Sequence, residues 1–447
     1  MATRQRIPPT GDHRPGRDRD ASQRATIRAA TAAATQPHPE TTAISRPSTA
    51  VTFVRDRRTW AAYLLLGLFA YIETSVGPVM PFLRAELGLS YAVASLHFSA
   101  FAIGAIISGL AGERVVRRIG RAAALWGGIA GMVAGALLVA FSPVVAGTIL
   151  GTFTMGLIGT ISLMANQAVL ADIHGSQRTI ALAESNVAAT TCAVLAPLIV
   201  GALAASGLGW PLALVLTAPW ALGLWLLFRR VRFPDVPPAP AAAHGPATLP
   251  RAFWVLAAVL FLVSSVEWCM AYWGAEFLAS VVGLEPALAA SAMTLFFAAM
   301  AGGRLIGSRL AWRFASAHLL YAALLIALGG FLLFWLAPGP ALSLIGLFVA
   351  GLGIANFYPL TVGVATGAAP GLIDTATARL AVAGGSALLL APLAVGAIAD
   401  LVGMRWGFGI VAPLLVAAFA CLVLAMRLLG MERQAVRLAG PHQRREP

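Results

Sequence analysis

Two glutamates stand inside long apolar stretches of this sequence, where a charged side chain is costly to place. Glu267 is the first charge in the run 252–282, and Glu73 lies deep in the run 59–81. About 20 apolar residues cross a lipid bilayer, so both carboxylates are expected at membrane depth, where an ionisable group indicates function by default. Lost hydration favours the protonated form of a carboxylate. Each glutamate could therefore exchange a proton, pair with a cationic substrate, or simply hydrogen-bond a neighbouring hydroxyl.

Other polar and aromatic side chains in the apolar runs could contact a substrate. Trp268 and Tyr272 follow Glu267 and could stack on a ring or a cation. His97 lies in the second run and could relay protons, since imidazole titrates near neutral pH, or could serve as a packing residue. The amide and hydroxyl groups that could hydrogen-bond a substrate belong to Asn166, Gln167, Asn356 and Tyr358.

The composition is that of a protein with many membrane-spanning segments. Hydrophobic residues make up 59% of the chain, charged residues only 11%, and the mean hydropathy is +0.82, whereas soluble proteins carry about 25% charged residues. The three cysteines stand alone in apolar runs, which predicts neither a disulfide nor a metal site. No GxxxxGK(S/T) loop and no HExxH motif occur, so ATP-driven transport, enzyme chemistry and a resident cofactor are not expected.

Twelve apolar runs divide the chain into two equal groups. The runs lie at 59–81, 91–112, 122–141, 144–170, 178–205, 210–228, 252–282, 287–310, 317–336, 340–365, 375–399 and 406–428. Residues 229–251 form a linker rich in arginine and proline, and residues 1–58 and 429–447 are polar tails, the first of a composition that predicts disorder. The sequence therefore predicts an all-α polytopic membrane protein with twelve transmembrane helices, six in 59–228 and six in 252–428.

Arginine supplies all 31 basic residues and sets the expected orientation. With the N-terminus in the cytoplasm, every arginine except Arg84 and Arg405 falls on the cytoplasmic side. Cytoplasmic loops carry such an excess of positive charge, so both termini are expected there. The lysine-free, alanine-rich composition favours a bacterial source and hence the inner (plasma) membrane. The same distribution accounts for the net charge of +13 without a nucleic-acid partner.

The two groups of runs repeat each other at an offset of 195 residues. The repeated motifs are Gly112-x-Arg114-x-x-x-Arg118 with Gly307-x-Arg309-x-x-x-Arg313, and Ala196-Pro197-x-x-x-Gly201 with Ala391-Pro392-x-x-x-Gly396. At this offset Glu73 corresponds to position 268, one residue from Glu267. The repeat therefore predicts two pseudo-symmetric six-helix halves, each with one acid at a similar depth. The shared proline motif is interpreted as a helix bend.

A six-plus-six repeat with a cytoplasmic linker resembles the major facilitator superfamily of transporters over about residues 59–428. The superfamily's signature after the second span is similar to residues 109–121, where Arg118-Ile-Gly120-Arg121 fits and Glu113 is the acid nearest the usual aspartate position. The resemblance implies that spans 1, 4, 7 and 10 line a central cavity that alternates between the two sides of the membrane.

Charges near the cytoplasmic ends of the predicted helices could act as gates. Glu184 in span 5 and Arg379 in span 11 occupy equivalent positions and could form an ion pair between the halves when the cavity is closed to the cytoplasm, which would break when it opens. Alternatively, Glu184 could pair with the arginines that follow span 2, or both charges could face water. Arg304 is expected to snorkel or to pair within the inner gate. The charges expected to fix topology and lock the inner loops are Glu113, Arg114, Arg117, Arg118, Arg121 and Arg309.

These patterns favour a secondary active transporter that moves a small organic solute by alternating access with proton coupling. Drug or cation efflux by antiport, solute uptake by symport, and a non-transporting sensor on the same fold stay open as alternatives. The sequence places no arginine in the middle of the cavity, which weighs against an anionic substrate. The expected partners are the solute, protons and the lipid bilayer, and we expect a monomer.

Overall fold

The computed structural model describes residues 53–234 and 248–438, and every regular element in these ranges is helical. Most of the predicted tail 1–58, the middle of the linker 229–251 and the end of the tail 429–447 lie outside the described residues. Asp56 caps the N-terminus of the first helix. Its carboxylate accepts a hydrogen bond from the backbone N–H of Thr59 (2.8 Å).

Twelve helices, α1 to α12, follow in chain order. The uninterrupted ones are α1 (Arg57–Leu87), α2 (Tyr91–Ile119), α3 (Arg121–Phe141), α5 (Arg178–Ala205), α7 (Arg251–Ser280), α8 (Pro286–Leu310), α9 (Ser316–Leu336) and α11 (Ile373–Val402). Helix α4 consists of Val145–Thr154, a π-helical turn Met155–Gly159 and Thr160–His174. The broken helices are α6 (Pro211–Val215 and Thr217–Phe228), α10 (Pro340–Ile354 and Phe357–Gly367) and α12 (Met404–Phe408 and Val411–Leu438). Helix α12 thus continues past the predicted boundary at 428.

Eleven helical stretches in the described ranges are long and apolar enough to cross a membrane. One of them, Val145–Ala205, has 61 residues, far more than the roughly 20 that one crossing needs. The 3-10 turn Gly175–Gln177 interrupts it between α4 and α5, so this stretch accounts for two crossings. The structure therefore confirms the predicted all-α fold with twelve membrane-spanning helices.

Among the helix pairs that join the two halves, three follow the internal symmetry of the sequence. Helix α2 packs against α11, α5 against α8, and α1 against α7. At the offset of 195 residues, α2 corresponds to α8 and α5 to α11. The first two pairs are therefore equivalent to each other, whereas in the third pair α1 and α7 are themselves the equivalent helices of the two halves.

The glycines of the repeated proline motif mark close approaches between the halves. Gly201 in α5 lies against Ser291 of α8, and Gly396 in α11 lies against Tyr91 and Ser95 of α2. A Cβ at either glycine would collide with these neighbours, and small residues let helix backbones approach closely within a membrane. The motif that the sequence suggests is a bend is thus also the contact point between the halves.

The helices are joined at one end, which we name the closed end, and separated at the other, the open end. At the closed end, the Asp400 carboxylate of α11 accepts hydrogen bonds from the backbone N–H groups of Tyr91 (2.7 Å) and Ala92 (2.9 Å) in α2. Toward the open end, the equivalent residues Val187 of α5 and Val382 of α11 are 62% and 63% exposed. Arg304 of α8, nearer to this end, lines a cavity between the halves and is 47% exposed, so the cavity opens toward the end where α1 begins and α12 ends.

Candidate substrate site between the two halves

The candidate site lies one helical turn from the crossing of α1 and α7. Gly77 of α1 packs directly on the backbone of Ala271 in α7, where any side chain would collide with the carbonyl oxygen. The two helices run in the same direction because six crossings separate them, so residues four positions before the contact lie together on its open side. These residues are Glu73 and Glu267, and both line one cavity of about 190 Å³.

The two carboxylates have different surroundings. Glu267 Oε1 lies 3.8 Å from Nη2 of Arg304 in α8, which compensates its charge. Glu73 has neither a hydrogen-bond nor an ion-pair partner among residues 53–234 and 248–438. With both glutamates ionised, the cavity therefore carries one paired carboxylate on the C-terminal half and one uncompensated carboxylate on the N-terminal half.

The position of Arg304 differs from the sequence prediction. Its guanidinium does not leave toward the end of the bundle but reaches into the cavity to Glu267, while its Nε donates to the carbonyl of Ala355 (3.3 Å). Met300, one turn earlier in α8, lines the same cavity, so the long arginine side chain follows the wall of its own helix. The expectation that no cation lies in the cavity is therefore wrong.

A stack of aromatic rings forms the wall beside Glu267. The Trp268 and Tyr272 rings stack with centroids 5.3 Å apart, and Tyr272 stacks on Phe98 of α2 at 4.2 Å with an interplanar angle of 3°. Trp268 and Tyr272 line the cavity, as predicted, and Phe98 is fully buried behind them. The stack joins the C-terminal half to the N-terminal half and fixes the orientation of the Trp268 ring.

The opposite wall comes from α5, which the sequence does not predict to line the site. Asn186 and Thr190, four residues apart on one face of this helix, both border the cavity. Phe297 of α8 adds a further apolar surface. Polar residues at this spacing in an otherwise apolar helix are the sequence signal that could have identified the α5 wall.

The cavity is therefore lined by α1, α5, α7 and α8 rather than by α1, α4, α7 and α10. In α4, Asn166 Nδ2 donates to the Ala62 carbonyl (2.8 Å) and ties this helix to α1. In α10, Asn356 Nδ2 donates to the Gly303 carbonyl (2.7 Å) and ties the helix break to α8. None of the four predicted substrate contacts on α4 and α10 lines this cavity: the two amides are bonded within the bundle, and Gln167 and Tyr358 are exposed.

His97 is a packing residue in this structure and does not line the cavity. Its side chain is fully buried within the N-terminal half. One ring nitrogen, Nε2, is 2.8 Å from Thr148 Oγ1, and the other, Nδ1, is 3.1 Å from the Ala94 carbonyl oxygen. Both nitrogens are satisfied by fixed neighbours, which corrects the predicted place of His97 in the substrate cavity.

The predicted ion pair between Glu184 and Arg379 is not formed. Glu184 instead binds Arg55, with Oε2 2.8 Å from Nε and Oε1 2.5 Å from Nη2, and it accepts a hydrogen bond from Tyr63 (3.1 Å). Arg379 is exposed on α11. The segment just before α1 passes over α5, so Glu184 finds its cation within its own half rather than across the interface.

The arginines after α2 also act within the N-terminal half. Glu113 pairs with Arg117 one turn later on the same helix (3.0 Å), a type of surface pair that contributes little to stability. Arg121 is buried and pairs with Asp172 of α4. The remaining predicted gating arginines are exposed, namely Arg114, Arg118 and Arg309.

An ion pair at the closed end joins the halves and was not singled out by the sequence. Arg84 of α1 donates through Nε to Glu276 Oε1 of α7 (3.0 Å), and its Nη2 is 2.8 Å from the same oxygen. Glu276 is buried, and the Arg84 guanidinium lies 4.2 Å from the Tyr91 ring centre. Arg84 is one of only two arginines expected on this side of the membrane, and this scarcity is the signal that could have paired it with a buried acid such as Glu276.

Two six-helix halves with a charged cavity at their interface, joined at one end and open at the other, define a membrane transporter. The family model of the Major Facilitator Superfamily matches residues 59–370. The chain belongs to this superfamily. Members of this superfamily are multi-pass membrane transporters rather than enzymes.

The chain is similar to an uncharacterized MFS-type transporter of Yersinia pestis, with 28% identity over 160 residues. This match covers 36% of the chain and 42% of that relative, which is less than half its length. Two solved structures share the fold. An inward-facing, occupied bacterial homologue of the human lysosomal transporter Spinster has a TM-score of 0.70 at 18% identity, over 83% of this chain and 96% of that one. The nucleoside transporter NupG has a TM-score of 0.68 at 15% identity, over 82% and 99%.

Proposed function

We propose that this chain is a proton-coupled secondary transporter that carries a small organic solute across a bacterial inner membrane by alternating access. Glu73 and Glu267 are the proposed proton-coupling groups. The observation that supports this proposal is that the two carboxylates, one from each half, face the same cavity. A charged carboxylate at membrane depth is costly, so a proton taken up on one side and released on the other would accompany the movement of the halves.

The open end is proposed to face the cytoplasm. The arginines concentrate there, whereas Arg84 and Arg405 lie at the closed end. The start of α1, the linker and the end of α12 share the open end, so this orientation places both termini in the cytoplasm. The structure would then represent the inward-facing state, which is also the state of the Spinster homologue with a similar fold.

The outward-facing state requires the closed end to separate. The Arg84–Glu276 ion pair and the Asp400 contact with α2 would break, and the α5 and α11 ends near Val187 and Val382 would approach each other. Because one chain forms the whole cavity, we propose the monomer as the transporting unit. Symport and antiport both fit this cycle, whereas a sensor on the same fold would bind the solute without moving it.

Transport into proteoliposomes under an imposed pH gradient tests the proposal. Sugars, organic acids and organic amines are offered in turn, while an entrapped pH indicator reports proton movement. At least one solute should move with the gradient and should carry protons with it. Glu73→Gln and Glu267→Gln should each remove the coupling without changing the thermal unfolding midpoint, and Glu285→Gln, an exposed carboxylate before α8, should behave as wild type.

Two outcomes contradict the proposal. Full proton coupling in both glutamine variants would exclude Glu73 and Glu267 as the coupling groups. Solute binding with no solute movement in any gradient would favour the sensor.

A further inference from the structure

We infer that the transported solute is a small organic monocation with an aromatic or similarly apolar group, and that its charged end binds Glu73. This inference rests on the proposed transport function and names the substrate class of the same cavity. It follows from the charge balance, the lining and the size of the cavity.

The charge balance of the cavity favours one positive charge on the solute. Arg304 compensates Glu267 at 3.8 Å, whereas Glu73 has no partner in the described part of the chain. A monovalent cation at Glu73 would make the site neutral. An anion would have to approach an uncompensated carboxylate and displace Glu267 from Arg304, and both steps oppose binding.

The cavity is poorly suited to an inorganic divalent cation. Calcium takes about six to eight oxygen ligands, several of them from carboxylates. No group of three or more histidine, cysteine, aspartate or glutamate side chains that could hold a metal ion occurs within residues 53–234 and 248–438. A divalent metal ion is therefore disfavoured, and the apolar lining beside Glu73 favours an organic cation.

The lining favours an apolar body attached to that charge. Trp268 presents a ring held in place by its stacking on Tyr272, and Phe297 and Met300 extend the apolar surface. Such faces accept both cations and aromatic rings. The uncharged polar groups of the lining belong to Thr74, Asn186, Thr190 and Tyr272, and a sugar bound to them would leave the carboxylate of Glu73 uncompensated. The cavity volume of about 190 Å³ suits a small molecule.

Proton and solute should compete for the same carboxylate. Three helices packed against this part of α1 place charged or titratable side chains near Glu73. These side chains are Glu267 and Tyr272 of α7, Arg304 of α8, and Cys192 of α5, which lies against Gly67. None of them adds a positive charge to Glu73, since Arg304 is directed to Glu267. A protonated Glu73 cannot hold the cation, so the geometry predicts exchange of one organic cation for a proton.

Binding of three ligands that share a benzyl or phenyl ring tests the inference on the purified full chain in detergent. The probes are benzyltrimethylammonium, benzyl alcohol and benzoate, measured by isothermal titration calorimetry. The ammonium ion should bind at least about tenfold more tightly than the other two, and acidification should weaken it. Glu73→Gln should abolish both effects, Glu73→Asp should retain the preference, and Glu285→Gln should change nothing.

The result is decisive whether or not transport is observed. Equal affinity for the three probes, tighter binding of benzoate, or an unchanged preference in a folded Glu73→Gln protein would overturn the inference. Proton-driven movement of an acid or sugar without binding of the ammonium probe would reject the inference but retain the proposed function. Binding of the ammonium probe without movement of any solute would reject the proposed function instead.

Discussion

Asp400 of one half caps the first turn of α2 in the other half. Its carboxylate accepts hydrogen bonds from the N–H groups of Tyr91 (2.7 Å) and Ala92 (2.9 Å). At the repeat offset, Asp400 corresponds to Ala205 and Tyr91 to Pro286, and a proline has no N–H to donate. The contact therefore exists at only one of the two equivalent interfaces, so the closed end is held together asymmetrically.

Removal of this cap should favour opening of the closed end. Asp400→Ala is expected to cost the closed state about 1 kcal/mol and to increase the outward-facing population. Distances between spin labels placed across the closed end of α2 and α11 measure the shift. Asp374→Ala, an exposed acid in the first turn of the same α11, is the matched control. Identical distance distributions in Asp400→Ala and wild type would exclude a role for the cap.

Overpacking at the α1–α7 crossing should destabilise this state. Gly77→Leu places a side chain against the Ala271 carbonyl, and overpacking of this kind costs about 1–3 kcal/mol. A lower midpoint of thermal unfolding is the expected readout. Gly109→Leu in α2 is the control, because a Cβ there meets nothing within 4 Å. An equal effect of both substitutions would show that the crossing does not require glycine.

The partner of Glu184 can be identified by charge reversal. Glu184→Arg should reduce transport or stability, and Arg55→Glu should restore part of the loss because the two side chains are in direct contact. Arg379→Glu should not rescue Glu184→Arg in this state. Rescue by Arg379→Glu alone would instead support an ion pair between the halves in the outward-facing state. Transport rates and unfolding midpoints of the single and double variants give a double-mutant cycle, which measures the coupling between the two side chains.

His97 should contribute to stability and not to proton coupling. His97→Leu removes the contact with Thr148 (2.8 Å) inside the N-terminal half, which is expected to cost about 1–3 kcal/mol. Thermal unfolding measures the loss, and the ratio of protons to solute in proteoliposomes should stay unchanged. A normal unfolding midpoint with lost coupling would restore the proton-relay interpretation.

The sequence alone determined the twelve helices, the two halves and the presence of an acid in each of α1 and α7. These features depend on hydrophobicity along the chain and on the repeat at 195 residues, which no tertiary contact alters. Glu73 and Glu267 could be singled out because a carboxylate at membrane depth is costly wherever its helix lies. Trp268 and Tyr272 could be placed beside Glu267 because they share its helix.

Only the tertiary structure decided which charged side chains form ion pairs with each other. Arg304 binds Glu267, Glu184 binds Arg55, and Arg84 binds Glu276. In a helix that is apolar on nearly every side, the sequence does not indicate which side faces the neighbouring helices. The residues that face each other are therefore set by contacts such as that of Gly77 with Ala271. A long arginine side chain can also reach several neighbouring positions, so spacing along the chain does not determine its partner. The sequence therefore identified the two acids, and packing between the halves left Glu267 paired and Glu73 without a partner among the described residues.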